Sequence, residues 1–218
     1  MLDRVPEPEL MDSAQEAEEY DAMDHGSVNQ AFVSDLLALT PKAGVWLDLG
    51  TGPAHIPILV AQSHPESVIV AADAALSMLS VARRNVLTAG LAHRIQLLQV
   101  DAKASSLPEQ HYSCIFSNSL VHHLGDPSQF WRQCRTLTAP DGLLFVRDLA
   151  RPEFEIQLDT LVKIYAAEAT ACQRGLFAES LRSAFTVAEI AEQAQDAGLL
   201  GAVVSMSSDR HWTLSWRA

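Results

Sequence analysis

Ten consecutive residues constrain this chain most: Val45, Trp46, Leu47, Asp48, Leu49, Gly50, Thr51, Gly52, Pro53 and Ala54. An apolar run ends in an acid, breaks at two closely spaced glycines and enters a helix-compatible segment near His55. That order describes a buried strand, a tight turn and a helix start. Glycine permits the left-handed backbone such a turn needs, and its missing side chain lets backbone N–H groups approach a ligand.

The same grammar recurs downstream. Val68 to Ala72 is all apolar and ends in Asp73, Ile95 to Val100 ends in Asp101, and Tyr112 to Phe116 leads into Ser117, Asn118 and Ser119. Leu143 to Val146 reads as a fifth strand, set off by a turn at Pro140, Asp141 and Gly142. Helical patterns separate these runs: Ile56 to Gln62, Ala75 to Thr88 with Gly90 as its stop, and a segment opened by Pro127. Continuous apolar strands fit a parallel sheet covered on both faces. Strand–helix alternation makes that sheet doubly wound, with right-handed crossovers. Ala202 to Met206 and Trp212 to Trp216 alternate like a hairpin. The expected fold is therefore α/β: a doubly wound, mostly parallel seven-stranded sheet with an antiparallel C-terminal strand and a helical lid.

Two segments fall outside the repeat. Residues 1–40 read as an N-terminal helical cap: a loose acidic leader to about residue 12, a helix from Ser13, and a second helix N-capped by Ser27 that ends before Pro41. Residues 41–218 form the main domain, with a helical insertion at about 152–185 ahead of a capping box at Thr186 and Glu189. The two segments carry Phe32, Phe154, Tyr165, Leu176 and Phe177, so a partly apolar small-molecule pocket is expected beneath them.

Composition narrows the partners. A formal net charge of −12 argues against nucleic acid, whose phosphates select basic surfaces. No apolar run approaches the roughly 18 residues of a membrane span. Cys114, Cys134 and Cys172 are too far apart for a zinc or redox pair, and no metal site is read from the spacing. The acidic first residues lack the basic and apolar blocks of a secretory leader, so a reducing, cytoplasmic setting is expected. Oligomeric state is not legible.

Strand C-termini in an open α/β sheet face the ligand crevice, so Asp48, Asp73 and Asp101 are expected to share one cleft. A single Asp at such a place often only caps the next turn. Nicotinamide-binding units want a third glycine where this chain has His55, and they do not place an acid two residues before the first glycine.

On these residues the chain resembles the class I (Rossmann-like) S-adenosylmethionine-dependent methyltransferases of small-molecule type. The resemblance rests on Asp48 to Gly52, on Asp73 with Met78, Leu79 and Ala82 downstream, on Val100 to Ala102, and on Ser117 to Leu124, which includes Asn118, His122 and His123. Ala54 stands where the family has a third glycine. The resemblance implies S-adenosyl-L-methionine as cofactor and S-adenosyl-L-homocysteine as product. It makes Leu49, Gly50, Thr51, Gly52, Ala74 and Asn118 part of the cofactor surface and gives Asp48 the turn and the ammonium end. Asp73 takes the ribose diol, while Asp101 and Ala102 take the adenine edge. Met78 packs on the adenine face or simply in the core, and Tyr20 covers the cofactor or simply packs its helix. His122 and His123 are the candidates for a general base or an acceptor contact, the acceptor being a small molecule. A protein that binds the cofactor without transferring a methyl group is the alternative.

Overall fold

The computed structural model describes residues 2–7, 12–23, 25–103 and 107–218; the Cys172 side chain and, within the acidic leader, residues 8–11 lie outside that description. Seven strands form one sheet in the order β3-β2-β1-β4-β5-β7-β6. They are β1 (Val45–Leu49), β2 (Val68–Asp73), β3 (Ile95–Gln99), β4 (Tyr112–Asn118), β5 (Thr138–Leu149), β6 (Val203–Met206) and β7 (His211–Arg217). The first five run parallel; β7 pairs antiparallel with both β5 and β6.

Alternating residues of the central strands feed two cores. Trp46, Ile69, Ala71, Cys114, Phe116, Leu143 and Phe145 face one side, and Leu47, Val70, Ala72, Ile115, Leu144 and Val146 face the other. This is why the strands read as unbroken apolar runs: each covers a helical layer on both faces. The first side is closed by α2 (Gly26–Ala38), α3 (His55–Ser63) and α4 (Leu76–Thr88), the second by α5 (Ser128–Leu137) and α8 (Val187–Asp196). On the second side Trp131 is fully buried and donates its indole N–H to Gln193 Oε1 at 3.0 Å. A polar handle so satisfied lets a large aromatic ring sit in a core.

Several expectations give way. His25, not Ser27, is the N-cap of α2, and Gly26 is the first residue of the helix. The expected turn at residues 140–142 is an irregularity within β5: Asp141 takes a φ of 59°, and a Cβ on Gly142 would sit 2.7 Å from the Ala139 carbonyl oxygen. The chain end captures that kink, since Asp141 N–H donates to the Ala218 carbonyl and Ala218 N–H to that of Gly142.

The expected loose leader is pinned where it is described. Leu2 N–H donates to the Glu153 carbonyl and Val5 N–H to that of Arg182. Arg4 spreads its guanidinium over the carbonyls of His122, Leu124, Gly125 and Ser183, and stacks on Phe185 at 3.8 Å. Composition pointed to solvent, but one arginine in the right place satisfies a cluster of carbonyls at a chain crossing.

The cap divides into two unlike parts. α1 (Ala14–Asp21), opened by a Ser13–Glu16 capping box, lies on α4 through Ala17 and the ion pairs of Arg84 with Glu18 and Asp21. α2 belongs to the core: Phe32 is fully buried against Phe116 and Phe145. The insertion forms α6 (Glu155–Tyr165) and α7 (Ala171–Ser183), which share a small core of Leu149, Leu158, Leu181 and Ala184. Among the described residues no helix is long and apolar enough to cross a membrane.

Candidate functional site

The strand order reverses direction between β1 and β4, and outside their carboxyl ends lies a cleft of about 310 Å³. Open α/β sheets bind ligands at this kind of switch point. The turn after β1 forms its floor. Gly50 N–H and Thr51 N–H both donate to the Ala72 carbonyl at 2.9 Å, which ties the turn to β2. Gly50 has a φ of 75°, and a Cβ there would come within 2.9 Å of the Leu120 side chain. Gly52 has a φ of 51° but open space above it, the nearest atom being on the Tyr20 ring at 3.9 Å. The first glycine is thus needed for space and backbone, the second for backbone alone. Ala54 has a φ of 65° and is fully buried at the start of α3. Its cost against glycine is left-handed backbone strain, about 1–2 kcal/mol.

All three strand-end acids line this one cleft. Asp48 is almost wholly buried, and burial pushes its carboxyl up to about 8; the Thr51 hydroxyl opposes the shift and the Asp73 charge adds to it. Asp73 accepts from Gly52 N–H at 2.8 Å and Ala75 N–H at 2.9 Å, one bond on each oxygen. Burial raises its pKa as well, against the pull of those N–H groups. Asp101 is exposed, and its Oδ1 accepts the Lys103 N–H at 2.8 Å, the turn-capping role an Asp often has at a strand end.

The remaining walls come from elements the sequence had singled out. Ala74, Met78, Ala102, Asn118 and His123 line the cleft, as do Gly50, Thr51 and Gly52. Leu49 is buried in the second core just beneath the turn and is not on the surface of the cleft. Met78 packs with Ala17, Ala75 and Val81 and also lines the cleft. Tyr20, His25 and Asn29 bring the N-terminal helices to the rim, the first two with ring centroids 5.3 Å apart. Of the aromatic and apolar residues expected to wall an acceptor pocket, Phe32 is in the core and Phe154, Tyr165 and Leu176 are exposed; neither these nor Phe177 lines the cleft. Phe177 packs on the small core shared by α6 and α7, and Phe32 packs on the sheet.

The two histidines separate. Both lie on a short 3₁₀ turn, Val121–His123, after β4. His122 is buried behind the wall of the cleft: its Nδ1 is 2.6 Å from Asp148 Oδ1, its backbone N–H donates to Asp148 Oδ2, and its carbonyl accepts from Ser183 and Arg4. Burial alone would lower its pKa, but the Asp148 charge and hydrogen bond, helped by Glu7, hold it above the usual histidine value. His123 faces the cleft. Arg147 and Asp148 do not pair with each other. Arg147 bonds Asp35 at 2.6 Å and Thr213 at 2.8 Å, and Asp148 serves His122. His211, bonded to Ser208 at 2.9 Å, is structural, with burial and then Arg210 pulling its pKa down to about 4.

Sequence reasoning missed Glu7, which reaches both histidines, at 3.3 Å from His122 Nε2 and 3.0 Å from His123 Nδ1. Its flank of prolines and acids carries no periodicity that would have marked it.

The chemical demand of the cleft is specific. Three acceptor side chains and a bare backbone floor suit a cationic ligand rich in N–H and O–H donors. S-adenosylmethionine, with an ammonium, a sulfonium, a ribose diol and an adenine amine, is such a ligand, and the residues present fit it.

Comparison with known proteins agrees. Residues 47–142 match the family model described as a methyltransferase domain. A release factor glutamine methyltransferase of Rhodopirellula baltica is 38% identical over 72 residues, 33% of this chain and 24% of that protein. A ubiquinone/menaquinone biosynthesis C-methyltransferase of Hahella chejuensis is 26% identical over 125 residues, 57% of this chain and 50% of that protein. The chain therefore spans half or less of the length of these two curated relatives. A SAM-dependent methyltransferase from Aquifex aeolicus has the same fold, with a TM-score of 0.68 at 15% identity over 95% of this chain and 99% of that one. The segment 47–142 thus carries a methyltransferase-domain match, and the chain as a whole has the fold of a solved S-adenosylmethionine-dependent methyltransferase.

Proposed function

We propose that this protein transfers a methyl group from S-adenosylmethionine to a small-molecule acceptor. The observation that carries the reading is the gathering of Asp48, Asp73 and Asp101 around the glycine turn in one cleft. Asp48 faces the ammonium end, the free lone pairs of Asp73 accept the ribose hydroxyls, and Asp101 with Ala102 takes the adenine edge. Leu49 supports the turn from below, while Ala74, Met78 and Asn118 complete the walls and Tyr20 covers the floor at Gly52.

When bound, the cofactor supplies an activated methyl group on a sulfonium that is a good leaving group. The task left to the chain is to hold the acceptor in line and keep water out, which can supply roughly 7–11 kcal/mol of a barrier. Tyr20, His25 and Asn29 from residues 1–40 wall the open side, so the N-terminal helices act as the cap. His123 stands at the cleft surface, where it contacts the acceptor; His122 and Asp148 fix the turn that presents it.

A net charge of −12 supports a neutral or cationic small acceptor over nucleic acid. The free, buried Cys114 and Cys134 support a cytoplasmic setting. Ile56, Leu120 and Leu124, rather than the expected aromatic residues, support a partly apolar acceptor.

Two measurements test the reading. Calorimetry with S-adenosylmethionine, S-adenosylhomocysteine and NAD should show binding of the first two alone. Methyl-labelled cofactor with a broad panel of small hydroxyl, amine and carbon acceptors should yield a labelled product. Preference for NAD would overturn the cofactor assignment; tight cofactor binding with no labelled product would overturn methyl transfer.

A further inference from the structure

Glu7 arrives from the N-terminal segment, far in sequence from the two histidines, yet its Oε1 touches both. One potential ligand atom from each of Glu7, His122 and His123 lies within 4.8 Å of the other two. The two carboxylate contacts are 3.3 Å and 3.0 Å. Metal bonds of about 2.1 Å, opened between octahedral and tetrahedral angles, put neighbouring ligand atoms about 3.0–3.4 Å apart. The spacing is that of two edges of a coordination shell.

The hydrogen bonding around the histidines points the same way. His122 Nδ1 is 2.6 Å from Asp148 Oδ1, and Asp148 is fully buried. An Nδ1–H given to a carboxylate leaves the lone pair on Nε2, the atom turned towards Glu7; carboxylate–histidine–metal relays are built this way. Among the described residues His123 Nδ1 has no hydrogen-bond partner of good geometry, although it is buried and Glu7 Oε1 is 3.0 Å away. The rings of His122 and His123 lie 4.1 Å apart on the same 3₁₀ turn, and each turns one nitrogen towards Glu7 Oε1. Arg4 is the cation nearby, and its guanidinium is engaged with four backbone carbonyls. Glu7 and Asp148 together outweigh its charge.

We infer that Glu7, His122 and His123 form a binding site for a divalent transition-metal ion at the wall of the cleft. Two imidazoles and one carboxylate select ions of the zinc, cobalt, nickel or ferrous type over magnesium, which prefers all-oxygen shells. His123 lines the cleft as well, so the ion sits between the N-terminal segment and the ligand cavity. With the ion bound, His123 is a metal ligand and not a proton carrier. The site rests on its own side chains and is independent of methyl transfer.

The test uses the full chain, stripped with a chelator and titrated with cobalt(II), zinc(II) or magnesium(II) by calorimetry, cobalt also being followed by its visible absorption. One equivalent of cobalt should bind with bands of nitrogen and oxygen ligation, zinc should displace it, and magnesium should not bind. Glu7→Gln and His123→Ala should each weaken cobalt binding at least about tenfold, and Asp148→Asn about 10–100-fold. Circular dichroism checks the fold of each variant; Glu7→Gln, outside the sheet, reports even where a buried variant does not fold. Absence of cobalt binding by the folded wild-type chain, equal affinity in Glu7→Gln and His123→Ala, or magnesium binding as tight as cobalt would each overturn the assignment.

Discussion

Asp73 grips Gly52: the glycine N–H donates to Asp73 Oδ2 at 2.8 Å, while Oδ1 of the same carboxylate holds Ala75 N–H at the start of α4. The residue proposed for the ribose is thus also a clasp between the glycine turn and the helix after β2. Hydrogen bonds to a charged group contribute about 1.5–3 kcal/mol each when their partners are not resolvated. Asp73→Ala should therefore weaken cofactor binding at least about tenfold and also lower stability by about 1–3 kcal/mol. Calorimetry and urea unfolding on the same preparation measure the two effects. Loss of affinity at unchanged stability would mean that water replaces the clasp.

Asp48 should make cofactor binding depend on pH. Its carboxyl is raised to about 8 in the free protein, first by burial and then by Asp73. A raised acid stabilises the fold in its protonated form; that contribution is complete below the unfolded carboxyl value and is lost as pH rises through about 8. An ammonium placed against Asp48 favours the ionised form, so binding near neutral pH should release a proton. Affinity should therefore increase from mildly acidic pH up to about 8 and then level off. Calorimetry in buffers of differing ionisation heat counts the proton, and Asp48→Asn should remove the release.

The two histidines should fail in different ways. Removing one member of a buried charged pair leaves the other uncompensated, at a cost of about 3–5 kcal/mol. His122→Ala abandons Asp148, which is fully buried, so it should lower the unfolding midpoint sharply. His123→Ala should leave stability nearly unchanged, spare cofactor affinity and depress turnover. Equal stability loss in both variants would contradict their different placements.

Glycine replacements should rank by space. Gly50→Ala brings a methyl within 2.9 Å of Leu120 on top of its backbone strain, whereas Gly52→Ala meets only open cleft. Gly52→Ala should cost about 1–2 kcal/mol from the left-handed backbone alone. Gly50→Ala should cost more and disturb the turn that carries Thr51. Thermal unfolding of both variants decides the order.

The sheet and the glycine turn after β1 were legible because they rest on local rules. Val68 to Asp73 is a two-sided buried strand wherever it stands, and Gly50 and Gly52 mark a turn that other residues resist. Even the capping box at Thr186 and Glu189 could be read directly, and it is present. What escaped depended on distant contacts. Phe32 carries the same helical signal whether it walls a cavity or fills a core, and only its contacts with Phe116 and Phe145 decide between them. Glu7 gave no signal, since its meaning comes from a chain crossing that no short pattern encodes. The kink at Gly142 looked like a turn because the strand's continuation is held by the C-terminal residue, Ala218.

The unequal anchoring of the first two helices bears on how ligands come and go. α2 is welded in place by Phe32 and by Asp35, which holds the buried Arg147, so it cannot swing without opening the protein's interior. α1, which carries Tyr20, is held on α4 by the single small side chain of Ala17 and by polar bonds of Glu18 and Asp21 with Arg84 and Asn85, of which the Arg84–Glu18 pair is exposed to water. Such tethers weaken as ionic strength rises. Traffic through the rim should accordingly be governed by α1 alone, and dissolved salt is the lever that loosens it.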